Sequence, residues 1–220
     1  AYRKDRSKIG ENASFYLTWD GNAANAGSAG GLSGAMIVMA LMFGGIFTYI
    51  AARYYKRSVL PIQHYQEPWH IGGFLYLLGF IIVTSPLGLL VSLFNDGLLN
   101  NSSWEAAIRA ENSQARVLML IAEVAYYVFL LVYSILLVML FVKRRDTFPW
   151  ACIVFYAALI SLGVLDHALT GLLNRSFAWT NREASALTQA IILAAIWTPY
   201  LLKSERVKRT FVNPHPSMIE

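Results

Sequence analysis

The sequence has 220 residues, of which 56% are hydrophobic and 14% are charged, and its formal net charge is +5 at pH 7. Soluble domains carry about a quarter charged residues, so this composition excludes an ordinary soluble protein. The positive charge would suit nucleic acid, but the basic residues stand in short runs beside apolar segments, a pattern typical of membrane orientation. We therefore expect an integral membrane protein whose partner is the lipid bilayer and not nucleic acid.

The chain opens with a polar tail, residues 1–31, followed by a first predicted span over residues 32–51. Glycines mark this region: Gly27 and Gly31, and Gly30 and Gly34, are four residues apart, and Gly44 and Gly45 lie deeper. Small residues at this spacing let helix backbones approach closely in lipid. We expect the Gly-rich span to contact another helix of this chain or a separate membrane subunit.

Four further apolar segments cover residues 71–94, 117–142, 148–173 and 184–202. The segment 117–142 has one charged residue, Glu123. At a rise of 1.5 Å per residue it can cross a hydrocarbon core of about 30 Å. Pro86 removes a backbone donor from the second span, and we expect the Thr84 and Ser85 hydroxyls to satisfy the freed backbone group. The predicted fold is all-α, a polytopic transmembrane helical bundle with five spans.

The distribution of Lys and Arg predicts the orientation of the bundle. Ten of them lie where the first, third and fifth spans end: Arg53, Lys56, Arg57, Lys143, Arg144, Arg145, Lys203, Arg206, Lys208 and Arg209. The other side has four near the spans, Arg109, Arg116, Arg175 and Arg182, because those of the tail are too distant to steer insertion. We expect the C-terminus in the cytoplasm and the N-terminus outside. This implies that the tail is exported or that another helix precedes Ala1.

Two stretches resemble a known family. The second span opens with Ile71-Gly72-Gly73-Phe74-Leu75-Tyr76-Leu77 and reaches Ser85-Pro86, and the last span closes with residues 196–212, IWTPYLLKSERVKRTFV. Together they resemble the YdgK-like bacterial inner-membrane family, a four-helix domain of unknown function, over roughly residues 70–212. The resemblance implies a helical bundle in the inner (cytoplasmic) membrane and carries no chemistry. We accordingly expect an extracytoplasmic tail at 1–31, an added first span with its basic end at 32–58, a four-span domain at 59–212 and a cytoplasmic tail at 213–220.

Polar side chains within the spans predict one layer in the outer leaflet. Counted from the outer helix ends at 1.5 Å per residue, Glu123 and Asp166 lie about 10 Å deep and Gln189 about 8 Å deep. The complete layer comprises Glu123, Tyr126, Tyr127, Asp166, His167, Thr170 and Gln189.

This polar layer has three interpretations. Its groups hydrogen-bond one another and lock the bundle, as polar groups do between membrane helices. Alternatively they line a hydrated pocket open to the outside, in which Glu123 or Asp166 takes protons. The third interpretation is a metal or haem site at His167, since the imidazole is a common metal ligand.

A second group of residues is predicted to anchor the bundle at the cytoplasmic lipid interface. Amphipathic rings prefer the headgroup layer, and cations meet anionic lipid there. The predicted anchors are Trp150, Trp197, Lys203, Arg206, Lys208 and Arg209. The alternative for the same residues is a docking site for a partner.

The sequence offers little for catalysis. It has a single cysteine, Cys152, which we expect to be buried, and no phosphate loop, nucleophile elbow or paired catalytic carboxylates. We expect no enzyme activity, no metal and no cofactor. The leading hypothesis is a non-enzymatic accessory or scaffold subunit of a membrane complex. The alternative is a small solute or proton-coupled transporter that uses the polar layer, although five spans without visible repeats are few for alternating access.

Overall fold

The computed structural model describes residues 31–57, 69–95, 97–110, 112–173 and 181–213. Seven helices lie in these ranges: α1 Gly34–Tyr55, α2 Phe74–Asn95, α3 Asn101–Arg109, α4 Ser113–Val142, α5 Phe148–Leu173, α6 Asn181–Lys203 and α7 Glu205–Thr210. The described residues contain no β-strand, only two isolated bridges. The predicted extracytoplasmic tail lies outside the described residues except for Gly31.

Five of these helices, α1, α2, α4, α5 and α6, have the length and apolar composition needed to cross a membrane. The predicted all-α class and the five spans are therefore confirmed. Helix α5 begins and ends at the predicted residues, whereas α4 begins earlier, at Ser113, and α1 continues to Tyr55. The agreement has a physical reason, because a chain in lipid must satisfy its backbone hydrogen bonds within each segment.

Two short helices, α3 and α7, occupy stretches that the sequence analysis treated as connections. In α3 the apolar residues Trp104, Ala107 and Ile108 follow helical spacing, and Ala107 is buried. Helix α7 has an N-cap, since the Ser204 hydroxyl accepts from the backbone N–H of Val207 at 3.5 Å. Both patterns are visible in the sequence, but each covers far fewer residues than a membrane span.

Helix α4 is the centre of the bundle and packs against α1, α2, α3 and α5. One side of it joins a large apolar cluster that includes Leu78 of α2 and Phe155 of α5. The other side joins a smaller cluster that includes Met36 of α1 and Ala107 of α3. Helix α6 packs on α5, so the bundle extends from α1 through α4 and α5 to α6.

Helices α2 and α4 approach closely at Gly79. A Cβ atom on Gly79 would lie 2.6 Å from Cζ of Phe141, which is too close for any real contact. The Phe141 ring in turn packs against Phe148 and Phe211, with centroids 5.3 and 5.7 Å apart. Glycine is therefore needed at this point of the helix contact.

Proline interrupts the hydrogen bonds of α2 without ending the helix. Pro86 has no N–H to donate to the carbonyl of Ile82. The Ser85 hydroxyl donates to that carbonyl at 2.8 Å, and Thr84 donates to Phe80 and Ile81 at 2.9 and 3.1 Å. The predicted role is confirmed for Ser85, whereas Thr84 donates to carbonyls that Pro86 does not free.

Helix α1 is joined to the rest of the fold at its start. The backbone N–H of Ser33 donates to Leu99 at 2.7 Å, and the N–H of Asn101 donates to Gly31 at 3.1 Å. These bonds form beside the bridge between Leu32 and Asn100. The start of α1 is thus tied to the connection that follows α2.

Candidate functional site

The helix bounds give the distance of three polar-layer residues from the nearest helix end. From the nearest helix end, at 1.5 Å per residue, Glu123 lies about 15 Å along α4, Asp166 about 10 Å along α5 and Gln189 about 12 Å along α6. All three are near the end of the bundle where α5 finishes and where α4 and α6 begin. These distances are measured along separate helices, so the shared depth in the membrane stays a prediction.

Helix α4 directs its polar-layer residues to different neighbours. Glu123, Tyr126 and Tyr127 are all half-buried. Tyr126 packs on the large apolar cluster and Tyr127 on the smaller one, and their rings meet edge to face at 5.5 Å. The two tyrosines thus contact each other while they pack on different apolar clusters.

On α5 the structure describes only part of the predicted set. His167 is half-buried on this helix. The backbones of Asp166 and Thr170 lie within α5, but their side chains are outside the described residues. Within the described part of the chain, no three His, Cys, Asp or Glu side chains converge as metal ligands would.

Gln189 is exposed on α6 and lines an open groove of about 620 Å³. Ser185, Thr188 and Ile192 share its lining and lie at helical spacing, on one face of α6. The two hydroxyls and the amide can donate and accept hydrogen bonds without carrying charge. The sequence analysis missed Ser185 and Thr188, although their spacing from Gln189 would have indicated this face.

The opposite end of the bundle, where α1, α4 and α6 finish, is called the basic end here and carries the cations of residues 53–57, 143–145 and 203–209. Its central residue is Arg145, which is only 2% exposed. The Arg145 Nη2 atom donates to the carbonyls of Tyr55 and Arg57 at 3.1 and 2.9 Å, and the guanidinium stacks over the Tyr55 ring at 5.3 Å. A cation there suits the negative end of the α1 dipole. Burial lowers the pKa of Arg145, and the neighbouring Asp146 opposes that change.

Backbone bonds join the α4–α5 connection to the residues after α7. The N–H of Asn213 donates to Arg144 at 3.2 Å, and the N–H of Asp146 donates back to Asn213 at 3.3 Å. The Asn213 side chain donates to Lys143 at 3.0 Å. The end of α1, the α4–α5 connection and the residues after α7 therefore meet around Arg145.

The predicted lipid anchors fall into two groups. Trp150 is 54% exposed, and Lys203 and Lys208 are exposed as well. Trp197 is only 3% exposed and belongs to the large apolar cluster, so its ring packs on protein and the predicted role as a lipid anchor is wrong for this residue.

The two arginines among the predicted anchors contact other parts of the protein. The Arg206 guanidinium lies so close to Gly72 that a Cβ there would meet it at 2.5 Å. Arg209 stacks over the Trp69 ring at 4.7 Å and lies 3.7 Å from the Glu205 carboxylate. Their exposed side chains hold α7 against the start of α2.

Five long apolar helices identify a multi-pass membrane protein. The chain belongs to the family described as "Protein of unknown function (DUF2569)", which matches residues 68–212. The match includes every described helix except α1. No curated protein and no solved structure matches the chain.

Proposed function

We propose that this protein is a non-enzymatic accessory or scaffold subunit of a membrane complex, and that α1 is the helix it presents to its partner. The observation that carries the proposal is the sparse packing of α1. Only Met36 is buried among its 22 residues, and the main contact of α1 is with α4.

The exposed face of α1 has the features of a helix-binding surface. Val38, Leu41 and Tyr49 are exposed, and a Cβ on Gly34 or Gly45 would meet nothing within 4 Å. Lipid alone can cover apolar side chains, but small residues additionally let a second backbone come close. Gly44 faces α4 within the chain, because a Cβ there would lie at an ordinary contact distance of 3.8 Å from Val128.

Site-specific photocrosslinking in native membranes tests this proposal. A photoreactive residue at Leu41, which is 71% exposed on α1, should give one dominant crosslinked protein. The matched control is Phe80, which is 69% exposed on α2 and should give no such product. Equal products from both positions, or lipid adducts alone from Leu41, would contradict the role assigned to α1.

Purification in mild detergent distinguishes the hypotheses further. A partner that co-purifies in fixed stoichiometry and matches the Leu41 product supports the accessory role. A lone monomer or dimer supports the transporter, and a visible absorption band supports a cofactor at His167.

The second candidate function is the small solute transporter. The observation that favours it is the open groove on α6, where Ser185, Thr188 and Gln189 offer uncharged hydrogen-bonding groups. Half-buried Glu123 on α4 would supply the proton-coupling group in the proton-coupled version. The transporter would need the groove on α6 and Glu123 on α4 to act together. These two helices are not among the principal packing pairs of the described residues, so we prefer the accessory role.

We also propose that the basic end faces the cytoplasm, in the inner membrane of a bacterium. The excess of cations at that end supports the orientation. The location, and a narrower place among YdgK-like proteins, rest on the resemblance of residues 70–212.

Cysteine labelling of intact cells tests the orientation. Cys152 is fully buried, so it should not react with a maleimide that cannot cross membranes. Ala106→Cys, at an exposed position on α3, should be labelled from outside. Lys143→Cys, at an exposed position of the basic end, should be labelled only after permeabilisation. The reverse pattern would place the basic end outside.

A further inference from the structure

An apolar cavity of about 270 Å³ lies between α1, α4 and α5, close to the basic end. Its walls include Phe47 and Ala51 from α1, Phe129 and Leu136 from α4, and Val154 from α5. The rim is open, because Ile50 and Val154 are both about half exposed. The cavity therefore lies within the membrane-spanning helices and communicates with the lipid around them.

The chemistry of the walls selects hydrocarbon over water. A buried water needs about three hydrogen bonds to polar groups, whereas dry cavities are those lined by apolar atoms. Of the two tyrosines in the lining, Tyr54 and Tyr133, the Tyr133 hydroxyl already donates to the Ala151 carbonyl at 3.1 Å. An acyl chain can enter from the open rim and lie against the rings of Phe47 and Phe129, which line the cavity and meet each other edge to face at 5.4 Å.

Cations lie at one end of this cavity. Tyr54, in the cavity wall, is followed by Lys56 and Arg57, and both side chains are exposed. The Arg145 bonds to Tyr55 and Arg57 bring the end of α1 next to Lys143 at the end of α4.

The charge balance at this end favours an anionic group. Among the described residues, the Asp146 carboxylate lies beside Arg145 and is buried. Basic pockets between membrane helices bind anionic lipid headgroups on the cytoplasmic side.

We propose that the cavity holds one acyl chain of an anionic phospholipid, whose phosphate lies among the exposed cations that end α1 and α4. The bound lipid fills the gap between α1 and α5 and thereby supports α1 against the bundle. This site is separate from the exposed face of α1 that is proposed to contact a partner, so either proposal can fail without the other.

Photolabelling of the full-length protein tests the lipid site. The protein is reconstituted in phosphatidylcholine vesicles that contain a small fraction of phosphatidylglycerol with a diazirine on one acyl chain. Adducts should map to α1 and α4 residues that line the cavity. Ala51→Trp, which fills the cavity, should remove most of them, whereas Ala52→Trp, at the exposed neighbouring position, should keep them. Equal labelling of the two variants would overturn the proposal.

A second pair of variants tests the headgroup contact without changing the packing of the core. The double variant Lys56→Gln and Arg57→Gln should lose about tenfold in labelling by the phosphatidylglycerol probe, because each cation near the surface contributes to anionic lipid binding. The Arg57 carbonyl that accepts from Arg145 remains in place. The control, Lys203→Gln with Lys208→Gln, removes two exposed cations elsewhere at the basic end and should keep the labelling.

A comparison of two lipid probes tests whether the site prefers an anionic headgroup. A phosphatidylcholine probe with the same diazirine chain should label the cavity more weakly than the phosphatidylglycerol probe. Equal labelling by both probes, or no effect of Lys56→Gln with Arg57→Gln, would overturn the anionic-lipid assignment and indicate an ordinary lipid contact.

Discussion

Gly79→Ala should lower the free energy of unfolding by about 2 kcal/mol, which is the usual cost of an extra methyl group in a packed core. The new Cβ would lie 2.6 Å from Phe141, and that ring cannot move aside because it packs on Phe148 and Phe211. We expect α2 to shift away from α4. Cys152 is the only cysteine and is fully buried, so its reaction with a thiol-specific dye during heating in detergent measures unfolding.

The matched control is Gly88→Ala in the same helix. A Cβ at Gly88 meets nothing within 4 Å, so this change should leave the dye-detected midpoint unchanged or raise it slightly. Phe141→Leu combined with Gly79→Ala should restore part of the lost stability, since it removes the atoms that collide. If Gly79→Ala and Gly88→Ala behave alike, the close contact between α2 and α4 is wrong.

Arg145→Ala should destabilise the protein by about 3 kcal/mol, because it removes a buried cation that serves two carbonyls. The carbonyls of Tyr55 and Arg57 would lose the hydrogen bonds from Nη2, and the Tyr55 ring would lose its stacked guanidinium. Arg145→Lys should recover only part of the loss, because an ammonium group lacks the planar guanidinium that stacks on the ring. Dye reaction at Cys152 again reports the unfolding midpoint.

Lys143→Met provides the control for Arg145. Both residues belong to the same basic run, but the Lys143 side chain is exposed and that of Arg145 is buried. We expect Lys143→Met to change stability by less than about 0.5 kcal/mol, as surface substitutions usually do. A loss at Lys143 as large as that at Arg145 would show that charge at this end matters, and not the contacts of one side chain.

The spans could be predicted from the sequence because the bilayer imposes a requirement on length and apolarity that few other structures meet. Which face of each helix is buried could not be predicted from the sequence. In a soluble protein polar residues mark the outside, but in lipid the exposed and buried faces are both apolar. Trp150 and Trp197 both stand in apolar stretches, yet one is 54% exposed and the other 3%. Nothing in the local pattern separates them.

For the candidate sites too, the position of a residue along its helix could be predicted, but the direction of its side chain could not. The depth of Glu123 and Gln189 follows from position along a helix, so the sequence placed them in one layer. Their directions depend on how the helices rotate, and Gln189 lies exposed on α6. Arg145 was counted only as one cation among ten, because charge counting treats buried and surface arginines alike. Arg145 belongs to the short connection between α4 and α5, residues 143–147, and this position places its side chain among the helix ends.

The buried guanidinium also sets an order of events during biosynthesis. Arg145 follows Tyr55 and Arg57 by 90 and 88 residues. At a translation rate of about 5–20 residues per second, α1 waits roughly 4–18 s in the membrane before the ribosome has added Arg145. During that interval the carbonyls of Tyr55 and Arg57 have no Arg145 guanidinium to donate to them. The face of α1 that meets α4 is uncharged at Met36 and Gly44, so lipid can cover it until α4 has been made.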